Sequence, residues 1–187
     1  MDRLSLQAAT ETPALTLPVY LQRIVLTCFM GAGKSTVGRL LAERLGWTFL
    51  DLDDEIEQRA SASVSDIFAQ QGEARFRRIE SSALASALHR PHTVLALGGG
   101  APESLTNRLL LEQTSGTFTI FLDAAFPTLF DRCMLQEIGR PVLADPALAE
   151  ERFSIRHPLY RRLARLTLET TDQTPQETAT AILEALK

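Results

Sequence analysis

The segment from Ile24 to Leu41, IVLTCFMGAGKSTVGRLL, constrains the fold more than any other part of the chain. A short apolar run ends at Met30. Gly31, Ala32, Gly33, Lys34, Ser35 and Thr36 follow, and then a helical pattern begins. A strand that turns through glycines into a helix in this way reads as a phosphate-binding loop. One position departs from the usual spacing: Cys28 stands five residues before Gly33, where glycine is usual.

The residue types explain one another. Gly31 and Gly33 have no Cβ, so the backbone can curl and turn successive N–H groups inward. Those donors, with the N-terminus of the following helix, make an anion site for a polyphosphate. Lys34 adds a compact charge that reaches the β- and γ-phosphates, and the Ser35 hydroxyl is placed to ligand Mg²⁺. ATP and Mg²⁺ are therefore expected. Cysteine at position 28 would be strained if the backbone there needs a positive φ and relaxed if it is extended.

At 187 residues, 45% of them hydrophobic, the chain is expected to form one globular domain. A net charge of −4 argues against a general nucleic-acid binder. Two cysteines do not make a disulfide framework, so a reducing compartment is the default. No run of residues approaches the length of a membrane span. Residues 1–22 carry Pro13, Pro18 and no periodicity, and Asp2 and Glu11 suit neither a signal nor a transit peptide. They are expected to form a disordered extension ahead of a single domain over 23–187.

Strand-like and helix-like segments then alternate. Strands are expected at 24–29, 47–51, 93–97, 117–122 and 166–170. Helices are expected at 34–45, 103–113, 127–135, 151–163 and 175–186. A long helical stretch over 53–88 is interrupted at 61–65 and at Gly72. Residues 136–146, with Gly139, Pro141 and Pro146, read as a loop. Alternation of this kind implies a parallel sheet with helices on both faces, and ligands at the carboxyl ends of the strands. That rule groups the phosphate loop, Asp51–Asp54 and Gly98–Gly100.

Asp51 and Asp53 lie two apart at the end of the second strand, and extended backbone would point both carboxylates to one side. Phosphoryl transfer needs such groups, to orient or deprotonate the attacking hydroxyl and to hold Mg²⁺ with its waters. Helix capping by Asp53 or Asp54 is the competing use. Arg77 and Glu80 share a helix face, either as a solvated pair or as a guanidinium held ready for an anion. Gly98–Gly100 allows close backbone approach to a ligand or is simply a flexible turn. Arg140 is placed to close over the phosphates, and Arg156 is a second candidate anion ligand. His89, His92 and His157 lack metal-site spacing.

The motifs FMGAGKSTVGRLLAERLG, FLDLDDEIE, SVSDIFAQQGEARFRRIE, LALGGGAP, GRPVL and RHPLY, in this order, resemble the shikimate kinases from Ile24 to the C-terminus. The resemblance implies a three-layer, nucleoside-monophosphate-kinase-like fold with a five-stranded parallel sheet, acceptor-binding helices over about 53–88 and a lid over about 136–150. It implies transfer of the ATP γ-phosphate to the 3-hydroxyl of shikimate. By position, Asp53 matches the residue that binds the acceptor hydroxyls and acts as base, and Asp51 a residue near the metal that acts through water. Arg77 and Arg156 match the pair that grips the acceptor carboxylate, Gly99 a ring contact, and Arg140 the lid arginine. Gln173 falls where the family contacts adenine, with Arg132 close by. Glu80 then orients Arg77. A monomeric, cytoplasmic enzyme is the accompanying expectation. A gluconate-type kinase, or a nucleotide-binding protein without catalysis, is the alternative.

Overall fold

The computed structural model describes residues 17–135 and 145–187. Its centre is a five-stranded, wholly parallel sheet of β1 (Arg23–Thr27), β2 (Thr48–Asp51), β3 (Thr93–Ala96), β4 (Thr117–Asp123) and β5 (Leu166–Glu169), in the order β2-β3-β1-β4-β5. Helices α1 (Lys34–Leu45), α2 (Leu52–Ala60), α3 (Val64–Ala87), α4 (Leu105–Gln113), α5 (Phe126–Leu135), α6 (Pro146–Leu163) and α7 (Pro175–Ala185) surround it. A 3₁₀ turn spans Ala101–Glu103.

The layering follows from the sequence of β1. All five of its residues are buried, as a central strand covered on both faces requires. Ile24 and Leu26 point into one apolar cluster, with Val37 and Leu41 of α1 and Ala179 and Ile182 of α7. Val25 points into the other, with Leu52 and Ile56 of α2 and Phe76 and Leu84 of α3. One strand thus serves two cores, and helices must close both.

Strand order reverses at β1, which pairs with β3 on one side and β4 on the other. The carboxyl end of β1 is therefore a topological switch point, where an open α/β sheet forms its crevice. The phosphate loop leaves the sheet there. Residue 97 continues the β3 path, its N–H bonding Leu26 O at 3.0 Å, and delivers Gly98–Gly100 beside that loop.

The expected elements are present, with shifted ends. β1 stops at Thr27, and Cys28 and Phe29 leave the ladder while staying buried. The helix expected from Glu151 begins at Pro146, because Asp145 accepts from the N–H groups of Ala147 and Leu148 and Pro146 fills the first turn. Residues 146–150, expected within the lid, are helical; 136–144 of the lid lie outside the described residues. Leu17–Gln22, expected within the extension, pack on the domain: Leu21 is buried and the Gln22 N–H bonds Gly116 O. α3 is broken as expected at Gly72, whose φ of 77° and ψ of 168° are open to glycine alone.

Gly31 and Gly33 both have positive φ, 82° and 79°. A Cβ on Gly31 would also lie 2.3 Å from Leu129 O and 2.9 Å from Cys133 Sγ of α5, whereas one on Gly33 meets nothing within 4 Å. Gly31→Ala is therefore expected to destabilise by about 2–4 kcal/mol. Gly33→Ala should cost only about 1–2 kcal/mol of backbone strain. Urea unfolding of the two variants checks the difference.

Candidate active site

The nucleotide half of the site is built on β1 and α1. Gly33 is the N-cap of α1 and has no side chain to bond the first-turn N–H groups. Those donors, and the positive end of the helix dipole, are suited to receive an anion. Ala32 is buried beneath the loop and Thr36 lies exposed in the first turn of α1. Ser35 Oγ donates to Asp51 Oδ2 at 3.0 Å, and Lys34 Nζ stands 3.7 Å from the same oxygen. A hydroxyl and a carboxylate side by side form an oxygen donor set suited to a hard divalent cation.

Asp51 also caps α2, accepting from the Asp53 N–H at 3.1 Å. The cap therefore falls on Asp51 rather than on Asp53 or Asp54. The alternation argument for Asp53 is replaced as well: β2 ends at Asp51, and Asp53 lies in the first turn of α2. The helical turn nonetheless aims Asp53 at the third strand. A Cβ on Gly98 would come within 2.7 Å of Asp53 Oδ1.

The same need for space explains the rest of the glycine run. None of Gly98, Gly99 and Gly100 has a positive φ. A Cβ on Gly100 would lie 2.9 Å from Arg77 Nη1 and Nη2 and 3.3 Å from Arg156 Nη2. A Cβ on Gly99 would lie 3.7 Å from Arg156 Nη1. The turn is bare so that a carboxylate and two guanidinium groups can lie against it. Arg77 and Arg156 face a cavity of about 300 Å³ that Phe68, Glu73, Glu103, Arg152 and Ile155 also line.

Glu80 holds Arg77 from behind, accepting from Nη1 at 3.0 and 3.2 Å with its side chain 1% exposed. Burial pushes the Glu80 carboxyl above the ordinary glutamate range, and the Arg77 charge opposes that shift. Burial, the largest single influence, pulls the Arg77 pKa down, but Glu80, Glu103 and Glu73 together outweigh it and the net shift is upward. Asn107, fully buried, closes the network. Its amide donates to Glu80 Oε2 at 3.3 Å and to Ala101 O at 2.9 Å, and its Oδ1 accepts from Ser81 Oγ at 2.7 Å.

Asn107 escapes a reading of motifs, and so do Tyr160 and Glu103. Tyr160 donates to Gly99 O at 2.6 Å from a fully buried ring, and burial raises its pKa so that the hydroxyl stays protonated. Its spacing of four from Arg156 puts both on one face of α6, a signal that was available. Glu103 bridges the two arginines, and nothing in its neighbours announces this. His157 pairs with Asp123 at 3.0 Å and packs on Phe121 and Phe153. Among the described residues no group of three or more His, Cys, Asp or Glu could hold a metal.

Cys28 does not have a positive φ; the only non-glycine described residues that do are Ser61 and His92. Glycine is therefore dispensable there, and a small buried side chain suffices. Arg132 donates to Thr170 O and Thr171 O, which places it on the β5–α7 loop that carries Gln173. Gln173 accepts from Thr178 Oγ1 at 3.1 Å. Arg140 lies outside the described residues.

A phosphate loop at the switch point of a parallel sheet, with an arginine-lined cavity beside the neighbouring glycine turn, defines a kinase of the P-loop fold. A family model for shikimate kinase matches residues 30–187. The shikimate kinase of Thermobifida fusca is 42% identical over 158 residues, covering 83% of this chain and 90% of that protein. That of Symbiobacterium thermophilum is 41% identical over 172 residues, 88% and 95% of the two chains. Among solved structures, the shikimate kinase from Acinetobacter baumannii in complex with shikimate superposes with a TM-score of 0.81 at 38% identity, covering 88% of this chain and 92% of that one. The chain belongs to the shikimate kinase family. A gluconokinase from Sinorhizobium meliloti, with a TM-score of 0.62 at 18% identity, shares the fold.

Asn107 touches neither arginine, yet both the Glu80 carboxylate and the glycine turn hang on it. Asn107→Leu leaves a buried carboxylate short of a donor. It is expected to destabilise by about 2–3 kcal/mol and to raise the KM for shikimate more than that for ATP. Urea unfolding and steady-state kinetics check both.

Proposed function

We propose that this site phosphorylates the 3-hydroxyl of shikimate, releasing shikimate 3-phosphate and ADP, with the residues in the following roles. The observation that carries the reading is the contact of Asp53, Arg77 and Arg156 with one glycine turn next to the phosphate loop. An acceptor that bears a carboxylate at one end and a hydroxyl at the other fits between the guanidinium groups and Asp53.

Arg77 and Arg156 take the acceptor carboxylate, each guanidinium offering paired N–H donors. Glu80 fixes Arg77, and Tyr160 fixes the backbone of Gly99 against the ring. The Asp53 carboxylate accepts the proton of the 3-hydroxyl as its oxygen bonds to the γ-phosphorus. The bond to the ADP oxygen breaks, and ADP leaves with that electron pair. Lys34 and the N–H groups of Gly31–Thr36 spread the charge of the transferring group. Arg140 adds charge from the lid, and Gln173 contacts adenine. Mg²⁺, held by Ser35 and through water by Asp51, would neutralise phosphate charge; the hydroxyl–carboxylate pair at 3.0 Å supports it.

The reading includes a cytoplasmic monomer with no nucleic-acid or membrane partner. Its net charge of −4 supports the former exclusion. No helix among the described residues is long and apolar enough to cross a membrane. A gluconate kinase is disfavoured because its structural likeness is confined to the fold, whereas the family match extends over residues 30–187.

ADP release from Mg-ATP should need shikimate and fail with gluconate or nucleoside monophosphates; acceptor-independent turnover would sink the reading. Asp53→Asn should lower kcat by about 10²–10⁴-fold with ATP binding retained. An unchanged kcat would remove Asp53 as base. Arg156→Ala should raise the shikimate KM by roughly 10–100-fold. An equal loss of ATP affinity would instead place Arg156 at the nucleotide.

A further inference from the structure

Three carboxylates surround Arg77, and they are not equivalent. Glu80 is buried and accepts from Nη1. Glu73 accepts from Nη2 at 3.2 Å from the preceding helical turn and is largely exposed. Glu103 alone reaches both arginines: Oε1 lies 2.5 Å from Arg156 Nε and Oε2 lies 3.6 Å from Arg77 Nη2. A carboxylate that divides its two oxygens between these guanidinium groups does what the acceptor carboxylate is read as doing in the same cavity.

Its setting suits a group that can leave. Glu103 closes the 3₁₀ turn immediately after the glycine run, so its backbone is anchored next to both guanidinium groups. Its side chain is 34% exposed at the cavity lining, whereas Glu80 is sealed in. A partly solvated ion pair is weak enough to be broken by a competing carboxylate, and rotation about the Glu103 side chain releases it into water.

We propose that Glu103 is the resident counter-ion of the acceptor-carboxylate site: it bridges Arg77 and Arg156 before the acceptor binds, and the acceptor displaces it. This rests on the reading of those arginines as the carboxylate ligands. The resident carboxylate keeps two like charges from repelling in an empty pocket. It also scales the acceptor affinity down to the fraction of molecules in which it has already left. Only an acceptor with its own carboxylate recovers both ion pairs on displacing it.

Glu103→Gln keeps the size and removes the charge. It is expected to lower the shikimate KM, and the dissociation constant measured by calorimetry, by roughly 3–10-fold, corresponding to a weak ion pair. The effect should fall on shikimate rather than on the KM for ATP or on kcat. Glu103→Ala should move the KM in the same direction. A KM that is unchanged or higher in Glu103→Gln would overturn the inference, because Glu103 would then be a support for Arg156. Arg156→Ala in the same assay separates the two failures. If it raises the KM while Glu103→Gln does not lower it, only the role of Glu103 falls. If it leaves the KM unchanged, the carboxylate-site reading falls and this inference with it.

Discussion

The carboxylate of Asp51 holds three partners from two parts of the fold. It accepts from Ser35 in the first turn of α1, stands near Lys34, and caps α2 through the Asp53 N–H. The phosphate loop and the helix that carries Asp53 are thereby tied to one residue at the end of β2. A side chain 13% exposed, with a cation and two donors around it, is well compensated for its loss of water. Position follows from this. Asp53 comes next on the capped turn, and its aim at Gly98 depends on where that turn begins.

The glycines of the two loops do unlike work, although they are equally glycines in the sequence. Gly31 and Gly33 are needed for positive φ, and the first also for its contact with α5. Gly98 and Gly100 have ordinary backbone angles and are needed for the volume that a Cβ would occupy, since Asp53, Arg77 and Arg156 lie there instead. In one loop the missing side chain shapes the backbone so that N–H groups converge on phosphate. In the other it lets protein charges converge on the turn itself, where the acceptor is proposed to bind. Cys28 is instructive by contrast. It meets neither demand, and its buried, relaxed place shows that the usual glycine spacing is broader than the geometry requires.

Sequence periodicity and turn chemistry reached the elements and most of the site. They did so because a phosphate loop, an Asp pair and a glycine run are each local, and the rule for parallel sheets brings strand ends together. Ends of elements were less legible where a cap outweighed the local composition. Pro146 read as loop but begins α6, because Asp145 satisfies the first N–H groups of the helix. Asn107 and Glu103 were not legible at all. Their partners lie 27 and 26 residues upstream in α3, for Glu80 and Arg77, and Glu103 also reaches Arg156 in α6. No spacing rule connects those positions. Only the packing of α4 and the 3₁₀ turn against α3 does.

Glu80 and Glu103 show how burial assigns roles to identical side chains around one guanidinium. Glu80, sealed against Asn107, cannot leave without uncovering a buried charge, so it can only orient Arg77. Glu103, at the cavity wall, exchanges its ion pair for water at little cost. An arginine that binds and releases a carboxylate on every turnover, the role proposed for Arg77, needs both kinds of neighbour. The permanent one keeps the guanidinium in place, and the exchangeable one keeps the empty pocket close to neutral. In the proposed exchange the acceptor replaces a weak partner rather than entering a bare cationic site, while the buried pair behind Arg77 keeps its guanidinium in position.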